Sequence, residues 1–503
     1  MNLSEIFTFT NISVTCCVSL CSYFIVLYLW NRRHLYHYAA KTPGPPSLPI
    51  LGSAYVFLCG TQELLENGMH YIGRYKPTFK FWLGPKLFVV VTQPRDIEIV
   101  LNQCPEKPQH YKYFCDIFGN GLITLPVNQW KKHRKLIGPT FNQQILNSFV
   151  STFGHYSNIL VEKLKGTVGK GCVDLYPIFS QCTLDIVCDT TMGTKVNAMD
   201  EGSQYMLWIS RASELGTMRF FNVFLHLNFI WKLSSYCREV QLISQKMQNY
   251  VKQILETKRR EKVQLSVNNE GVPQGKIFLD YLLKLTDQDG KWSDEETIEE
   301  SRTIIVAGSD ATAQTLCYVL MMLAMHQDIQ NKVYDEIISI LKDDRSPTLA
   351  DLQEMTYLER FIKESLRLFP AASVIGRFVT NDVALENYVL PRGTTVAIPI
   401  LHLHRDSDFW FDPLTFNPDR FLTEEVSKRH PYAFLPFSGG PRNCIGIRYA
   451  MLAMKTVLST LLRHYRVVAT THTSISDIKL KLDVATKCVG GQKIQLEVRS
   501  QRF

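Results

Sequence analysis

Several things are missing from this sequence, and each absence narrows what the chain can be. No two cysteines stand in a Cys-x-x-Cys spacing, and the 13 cysteines are scattered and odd in number. That argues against a disulfide framework and against a structural zinc site, and it places the bulk of the chain in a reducing compartment. No stretch after residue 50 is rich enough in Gly, Pro or Ser to act as a linker, and there is no internal repeat. One large domain is therefore expected behind a short N-terminal appendage. A dense basic block with interleaved aromatics is also lacking, so no nucleic acid is expected as a partner. The net charge of +8 suits an anionic membrane surface or an acidic protein. With 46% apolar and 20% charged residues, the 503-residue chain can enclose a large core.

Charge is nearly absent from Phe7 to Trp30. This run carries Ile12, Val14, Val18, Leu20, Phe24, Ile25, Val26, Leu27 and Leu29. It is long enough for a membrane-crossing helix, which needs about 20 residues. Arg32 and Arg33 follow at once, whereas only Glu5 is charged before it, so the positive-inside rule puts the C-terminal side in the cytoplasm. A cleaved secretory peptide fits less well, because the apolar stretch is too long and the positive charges lie behind it. Residues 1–33 are read as a membrane anchor with its stop-transfer pair, 34–52 as a Pro-rich hinge and 53–503 as the main domain. Within the hinge, Thr42 to Pro49 should be stiff and extended, since prolines fix φ and remove donors.

Phe79–Leu83, Gly84-Pro85 and Lys86–Val91 read as a β-hairpin. Helical periodicity then dominates from about residue 94 to residue 370, with a polar loop at Asn268–Lys276. Tyr388–Ile400 returns to strand character, with a turn at Pro391-Arg392-Gly393. Trp410–Pro441 is irregular, and a last helix from about Gly446 to His464 precedes short closing strands. The fold class expected is mainly α with a small β-rich region. One helix stands out. Ser293 and Glu296 form a capping box, and Asp294, Glu295 and Glu296 load its first turn with negative charge. No proline follows until well past residue 325, so it would be on the order of 45 Å long and cross the whole domain. In its middle, Ala307-Gly308-Ser309-Asp310-Ala311-Thr312 offers small residues. They serve either close helix packing or the approach of something flat at a site.

The most informative window is Phe437-Ser438-Gly439-Gly440-Pro441-Arg442-Asn443-Cys444-Ile445-Gly446. A lone cysteine is usually a small buried hydrophobe. Here the glycines permit a tight loop whose successive N–H groups can reach the sulfur, a helix starts just beyond, and Arg442 supplies a cation two residues away. A low-pKa thiolate able to bind metal is the physical expectation.

The same window resembles the haem-binding motif of the cytochromes P-450, Phe-x-x-Gly-x-Arg-x-Cys-x-Gly, at every fixed position. In that family the cysteine thiolate ligates haem iron. The resemblance extends along the chain from about residue 42 to residue 465. Glu364 and Arg367 match the family's Glu-x-x-Arg, and their i, i+3 spacing lets them pair on a helix. Phe416 to Phe421 resembles the segment that carries a third member, Arg420, of a trio that holds the cysteine loop. Trp130 and Arg134 match a Trp-x-x-x-Arg helix that meets a haem propionate. Arg442 and Arg377 match further propionate ligands, while Phe437 and Gly446 belong to the cofactor loop itself. The resemblance implies the cytochrome P-450 fold, with Cys444 as metal ligand and 53–503 as a haem-thiolate catalytic domain.

One motif departs from the family pattern. Ala307, Gly308 and Asp310 are in register, but Ala311 occupies the usual catalytic threonine position and Thr312 the next. The family's threonine hydroxyl relays protons during oxygen activation, and the acid, here Asp310, feeds that relay. Either Thr312 takes over or the loss is tolerated, or else the chain belongs with members that rearrange peroxides without electrons. Ala307 stands where a glutamate that esterifies haem often sits in the fatty-acid-hydroxylase clan, so haem b is expected to be bound non-covalently.

The overall pattern resembles the animal microsomal branch near that clan, its insect members included. It implies NADPH-dependent monooxygenation of a lipophilic compound at the endoplasmic reticulum, with the catalytic domain facing the cytosol. Electrons would come from NADPH-cytochrome P-450 reductase, with cytochrome b5 as a second donor. Competing classes are a peroxide isomerase or dehydratase on the same fold and a non-catalytic haem protein that binds a ligand. The aromatic-rich stretch from Thr217 to Leu233 is either core or, as the family implies, a membrane-dipping roof over the substrate channel. Lys131, Lys132, Lys135 and Arg448 offer a basic face to a reductase, or are simply solvated. Fatty acids, odorant- or pheromone-like lipids, hormones and plant toxins all remain open as substrates.

Overall fold

Ser293 caps a helix running Asp294–Met325. Its hydroxyl accepts from the Glu296 N–H, and the Glu296 carboxylate accepts from the Ser293 N–H. At 1.5 Å per residue, its 32 residues span about 48 Å. Most of its side chains from Thr297 to Ala324 are buried, and it forms the axis of the main core. The computed structural model describes residues 3–267, 277–287, 290 and 292–499, and the expected polar loop Asn268–Lys276 lies outside them. Around the central helix pack the helices Tyr176–Val187, Tyr205–Phe221, Thr356–Leu368 and Ile447–His464, so the chain is mainly helical, as expected. Gly308 lies against Val187 so closely that a Cβ there would stand 2.9 Å from Val187 Cγ2. Helix packing therefore accounts for this glycine, and Ala307, Gly308, Asp310, Ala311 and Thr312 also border a cavity, so the small-residue stretch serves both uses.

The β-rich part is small. Thr78–Leu83, Lys86–Val91, Thr395–Ile398 and Ile375–Phe378 lie side by side in that order. The first pair is the expected antiparallel hairpin, with Phe81 opposite Phe88 and Gly84 at positive φ in the turn. Lys86–Val91 runs parallel to Thr395–Ile398, which pairs antiparallel with Ile375–Phe378. A second sheet joins Val173–Asp174, Lys493–Val498 and Tyr465–Thr470. A short hairpin, Leu480–Lys481 with Lys487–Cys488, turns its tip into the cavity.

At the N-terminus, Leu3–Asn31 is one helix, and Val14–Asn31 within it is exposed and apolar enough to cross a membrane. The stretch 34–52 differs from the expected hinge. Arg33–Lys41 is a second helix that buries Leu35 and Ala39 against Trp82 and Leu87. Tyr36 stacks on Trp82 with ring centroids 5.1 Å apart. The proline segment is extended, but it is fastened to the sheet: the Lys80 N–H donates to the Pro43 carbonyl at 2.8 Å, and Gly52 bridges Leu83. Helix formation over Arg33–Lys41, which lies before the first proline, buries Leu35 and Ala39, and this apolar burial fixes the start of the stretch to the domain.

Candidate active site

Gly440 adopts φ +69°, and a Cβ there would lie 2.4 Å from the Leu101 carbonyl oxygen, so only glycine allows the loop to pass. The loop closes when the Cys444 N–H donates to the Phe437 carbonyl at 3.0 Å. The Gly446 N–H then points back at Cys444 Sγ, 3.3 Å away, and the helix Ile447–His464 begins. The sulfur opens into a cavity of about 550 Å³. Phe437, Arg442, Cys444 and Gly446 share this cavity with Trp130, Arg134, Asp310, Ala311 and Thr312. Most of the remaining wall is apolar, with Phe118, Ile304, Val374 and Leu482 among its members.

Three expectations about the sulfur are corrected. Among the described residues one N–H group, that of Gly446, donates to it rather than several. Its cation is Arg134, not Arg442. Arg442 turns its Nη atoms to the Pro105 and Leu125 carbonyls and lies over the Trp130 ring. Finally, burial pushes the Cys444 thiol up, because the apolar surroundings outweigh the Gly446 N–H and the Arg134 charge. A bound metal cation would add positive charge beside this sulfur and favour the thiolate.

Near the loop lie cations with no carboxylate. Among the described residues, Arg134, Arg377, Arg442 and Lys107 form no ion pair with a protein carboxylate, and the Nε atoms of Arg377 and Arg442 are buried without a hydrogen-bond partner. Lys107 is held well below the usual lysine range by burial and by the charges of Arg377 and Arg442. Arg377 donates to the Gly376 carbonyl and, at 3.3 Å, to Ser438 Oγ; it stands behind the cavity wall rather than on it. Arg134 donates to Asn443 Oδ1 at 3.1 Å. Arg377 and Arg442 are buried and Lys107 and Arg134 half-buried, and apart from the more distant charge of Glu106 on Arg442 this cluster calls for anions. Two carboxylates of a flat cofactor beside a free sulfur meet that need, so the residues present fit haem.

Glu364 and Arg367 are both 0% exposed and joined by two parallel bonds of 2.7 Å. Arg367 also donates to the His404 and Pro413 carbonyls. Glu364 accepts from the Asn417 N–H at 2.9 Å. Arg420 Nε lies 3.4 Å from Glu364 Oε1, an ion-pair contact without hydrogen-bond geometry, and its Nη atoms bind the Phe411 and Asp412 carbonyls. The trio therefore fixes the irregular segment 411–417, upstream of the cysteine loop.

On the central helix, Asp310 Oδ1 accepts from the Tyr176 hydroxyl at 2.5 Å. Ala311 faces the cavity, and the Thr312 hydroxyl beside it has no protein partner among the described residues. The stretch from Thr217 to Leu233 divides. Phe220 and Phe221 line the cavity and Trp231 is buried beneath Arg219, while Phe229 and Leu233 are 64% and 79% exposed. Lys131, Lys132, Lys135 and Arg448 are exposed. Sequence reasoning missed Lys107, Tyr176 and Asp483. No local motif marks the first two, but Asp483 could have been suspected as an acid in a hydrophobic hairpin tip.

The sequence matches the cytochrome P450 family model over residues 42–492. It is 37% identical to Cytochrome P450 4c21 of Blattella germanica, over 95% of this chain and 97% of that protein. Cytochrome P450 4g1 of Drosophila melanogaster is 34% identical, over 94% of this chain and 92% of its own length. Cytochrome P450 4V2 of Homo sapiens is 32% identical, over 83% and 82%. With a cysteine sulfur facing an apolar cavity and unpaired cations beside it, the chain belongs to the cytochrome P450 family of haem-thiolate monooxygenases.

Proposed function

We propose that this enzyme inserts one atom of O2 into a lipophilic small molecule, using NADPH electrons delivered by NADPH-cytochrome P-450 reductase, with cytochrome b5 as a second donor. The observation that carries this reading is Cys444 Sγ facing an apolar cavity, with Arg134, Arg442 and Lys107 on the same wall. Haem iron bound through Cys444 supplies oxygen activation and oxygen-atom transfer. Arg134, Arg442 and Lys107, which line the cavity beside Trp130, would hold the cofactor's carboxylates; Arg377, behind the wall, would add its charge without touching them, and Phe437 and Gly446 would shape the cysteine loop against the cofactor. Ala307 offers no carboxyl for an ester, so the haem is non-covalent and acidic organic solvent extracts it. Thr312 presents the one free hydroxyl of the 310–312 triplet and takes the proton-relay role that Ala311 cannot fill. Asp310 lines the cavity beside Thr312 and holds the Tyr176 hydroxyl through Oδ1, which positions it to feed that relay.

The exposed apolar helix Val14–Asn31 supports an N-terminal anchor in the endoplasmic reticulum membrane, with the catalytic domain in the cytosol. Phe224, Leu227, Phe229 and Leu233 make a second exposed apolar patch next to the cavity wall, suited to drawing substrate from the bilayer. The exposed Lys131, Lys132, Lys135 and Arg448 lie on the helices that carry Trp130 and the cysteine loop, where an acidic reductase would dock. The test is product formation with reductase and NADPH compared with hydroperoxide alone. Turnover that needs NADPH supports monooxygenation. Turnover of hydroperoxide with no need for electrons overturns it in favour of a peroxide isomerase. Haem spectral shifts without any turnover indicate a ligand-binding protein.

A further inference from the structure

The tip of the C-terminal hairpin places a charge where lipophilic chemistry would not. Leu482, Asp483, Val484 and Ala485 line the cavity, and Asp483 and Asp310 are its only carboxylates among the described residues. Asp310 holds the Tyr176 hydroxyl through Oδ1 and sits on the central helix beside Ala311 and Thr312, among the residues read above as the proton relay. Asp483 is 6% exposed, and burying a carboxylate is costly unless it is paired. The fold pairs it from behind: Lys487 Nζ lies 3.1 Å from Asp483 Oδ2 and donates to Ser210 Oγ at 2.8 Å. Neither Lys487 nor Ser210 lines the cavity. Asp483 Oδ1 accepts from the Val484 N–H at 3.0 Å and from the Thr217 hydroxyl at a long 3.4 Å. Burial pushes the Asp483 carboxyl up, and the Lys487 ammonium and its hydrogen bond oppose that shift. Paired with Lys487 as a carboxylate it offers about four acceptor sites, so capacity remains for a donor arriving through the cavity.

This arrangement discriminates among head groups. The Asp483–Lys487 pair is neutral as a whole, so it gives no strong preference for a cation. Its cavity-facing half is an acceptor, so a neutral hydroxyl can donate to it. A free carboxylate can only accept, as Asp483 does, so no hydrogen bond forms between the two, and the cavity-lining cations Lys107, Arg134 and Arg442 are committed to the cofactor wall. We infer that Asp483, with Thr217, is the polar anchor of substrate recognition, and that the enzyme takes lipophilic alcohols in preference to free carboxylic acids. This rests on the cavity being a haem-bearing site for lipophiles, as proposed above.

The experiment is a titration of the full-length holoenzyme with 1-dodecanol, dodecanoic acid and dodecane, read from the haem spectral shift. One hydrogen bond to a charged group corresponds to roughly tenfold in affinity, so 1-dodecanol should bind at least that much tighter than the acid. Asp483→Asn leaves Lys487 buried and unpaired, so it is tested both alone and with Lys487→Met. In the double variant the alcohol-to-acid ratio should fall to within about threefold while dodecane affinity stays unchanged. Acid binding as tight as alcohol in the native enzyme, or a preference that survives the double variant, overturns the inference. If none of the three ligands shifts a haem with an intact reduced carbon-monoxide band, the lipophile reading falls as well. Loss of the alcohol preference alone leaves that reading standing.

Discussion

Lys107 makes no protein hydrogen bond among the described residues; its ammonium lies 4.6 Å from the Tyr111 ring centroid and feels Arg377 and Arg442. An isolated buried cation destabilises the protein that holds it, and an anionic cofactor group reverses the sign. Lys107→Met should therefore act in opposite directions on the two forms. The apoprotein should melt at the same or a higher temperature, while haem dissociates several-fold faster, as expected for a charge-assisted contact of about 1.5–3 kcal/mol. Scanning calorimetry of the apoprotein and haem transfer to an acceptor protein measure the two effects separately. Cys444 gives the complementary case. Its sulfur faces the cavity and would hold the haem iron, a soft thiolate donor being the ligand this chemistry calls for. Cys444→Ser should leave the helical content intact and abolish the red-shifted Soret band of the reduced, carbon-monoxide-treated protein. A variant that keeps this band would show that the ligand is another residue.

The central helix shows what a motif can and cannot report. Its capping box, length and burial follow from local chemistry, and all three were legible in the sequence. So were the residues whose partners lie in the same window, such as Glu364 with Arg367 and Gly446 with Cys444. Contacts that depend on distant chain segments were not. Tyr176 reaches Asp310 across 134 positions, and Arg442 turns away from the nearby sulfur toward carbonyls more than 300 positions upstream. Proximity in sequence misassigned the thiolate's cation for that reason. The same helix also bears on oxygen chemistry. Ala311 lacks a hydroxyl and Thr312 lines the cavity beside it, so the relay proposed above would place proton delivery on Thr312. Ala311→Thr should raise the fraction of NADPH converted to product and lower peroxide release, about two- to tenfold given that one positioned proton carrier contributes a larger factor, of order 10²–10⁴, in a complete relay. Thr312→Val should do the reverse. Unchanged coupling in both variants would remove the relay from this helix.

Across the whole molecule, one buried polar network ties the Thr356–Leu368 helix, the irregular segment and the approach to the cysteine loop together. His404 joins it: its Nε2 accepts from the Leu435 N–H at 2.8 Å, which leaves Nδ1–H to donate to the Arg367 carbonyl at 3.2 Å. The bond accepted at Nε2 requires a neutral ring, because both nitrogens of a protonated imidazole are donors. Removing Glu364 would leave Arg367 buried and uncompensated, at a cost of about 3–5 kcal/mol, so Glu364→Ala should give little folded holoprotein. His404 allows a milder perturbation, through pH. Burial first, and then the Arg367 charge, hold its pKa down to about 3. In the unfolded chain the ring titrates near about 6.5. Above that value both states are neutral there and the full stability is present. As pH falls below it, the unfolded state takes up a proton that the native state refuses, and stability drops until the native ring itself titrates. At pH 5.5 unfolding should therefore take up about one more proton at this site than at pH 8. His404→Gln should shed that contribution even though it lowers stability at neutral pH. The slopes of denaturant stability against pH for the two proteins, taken between pH 5 and 6.5, measure the difference. Equal slopes would mean that His404 is already charged in the native state, and the hydrogen bond from Leu435 would then have to be abandoned.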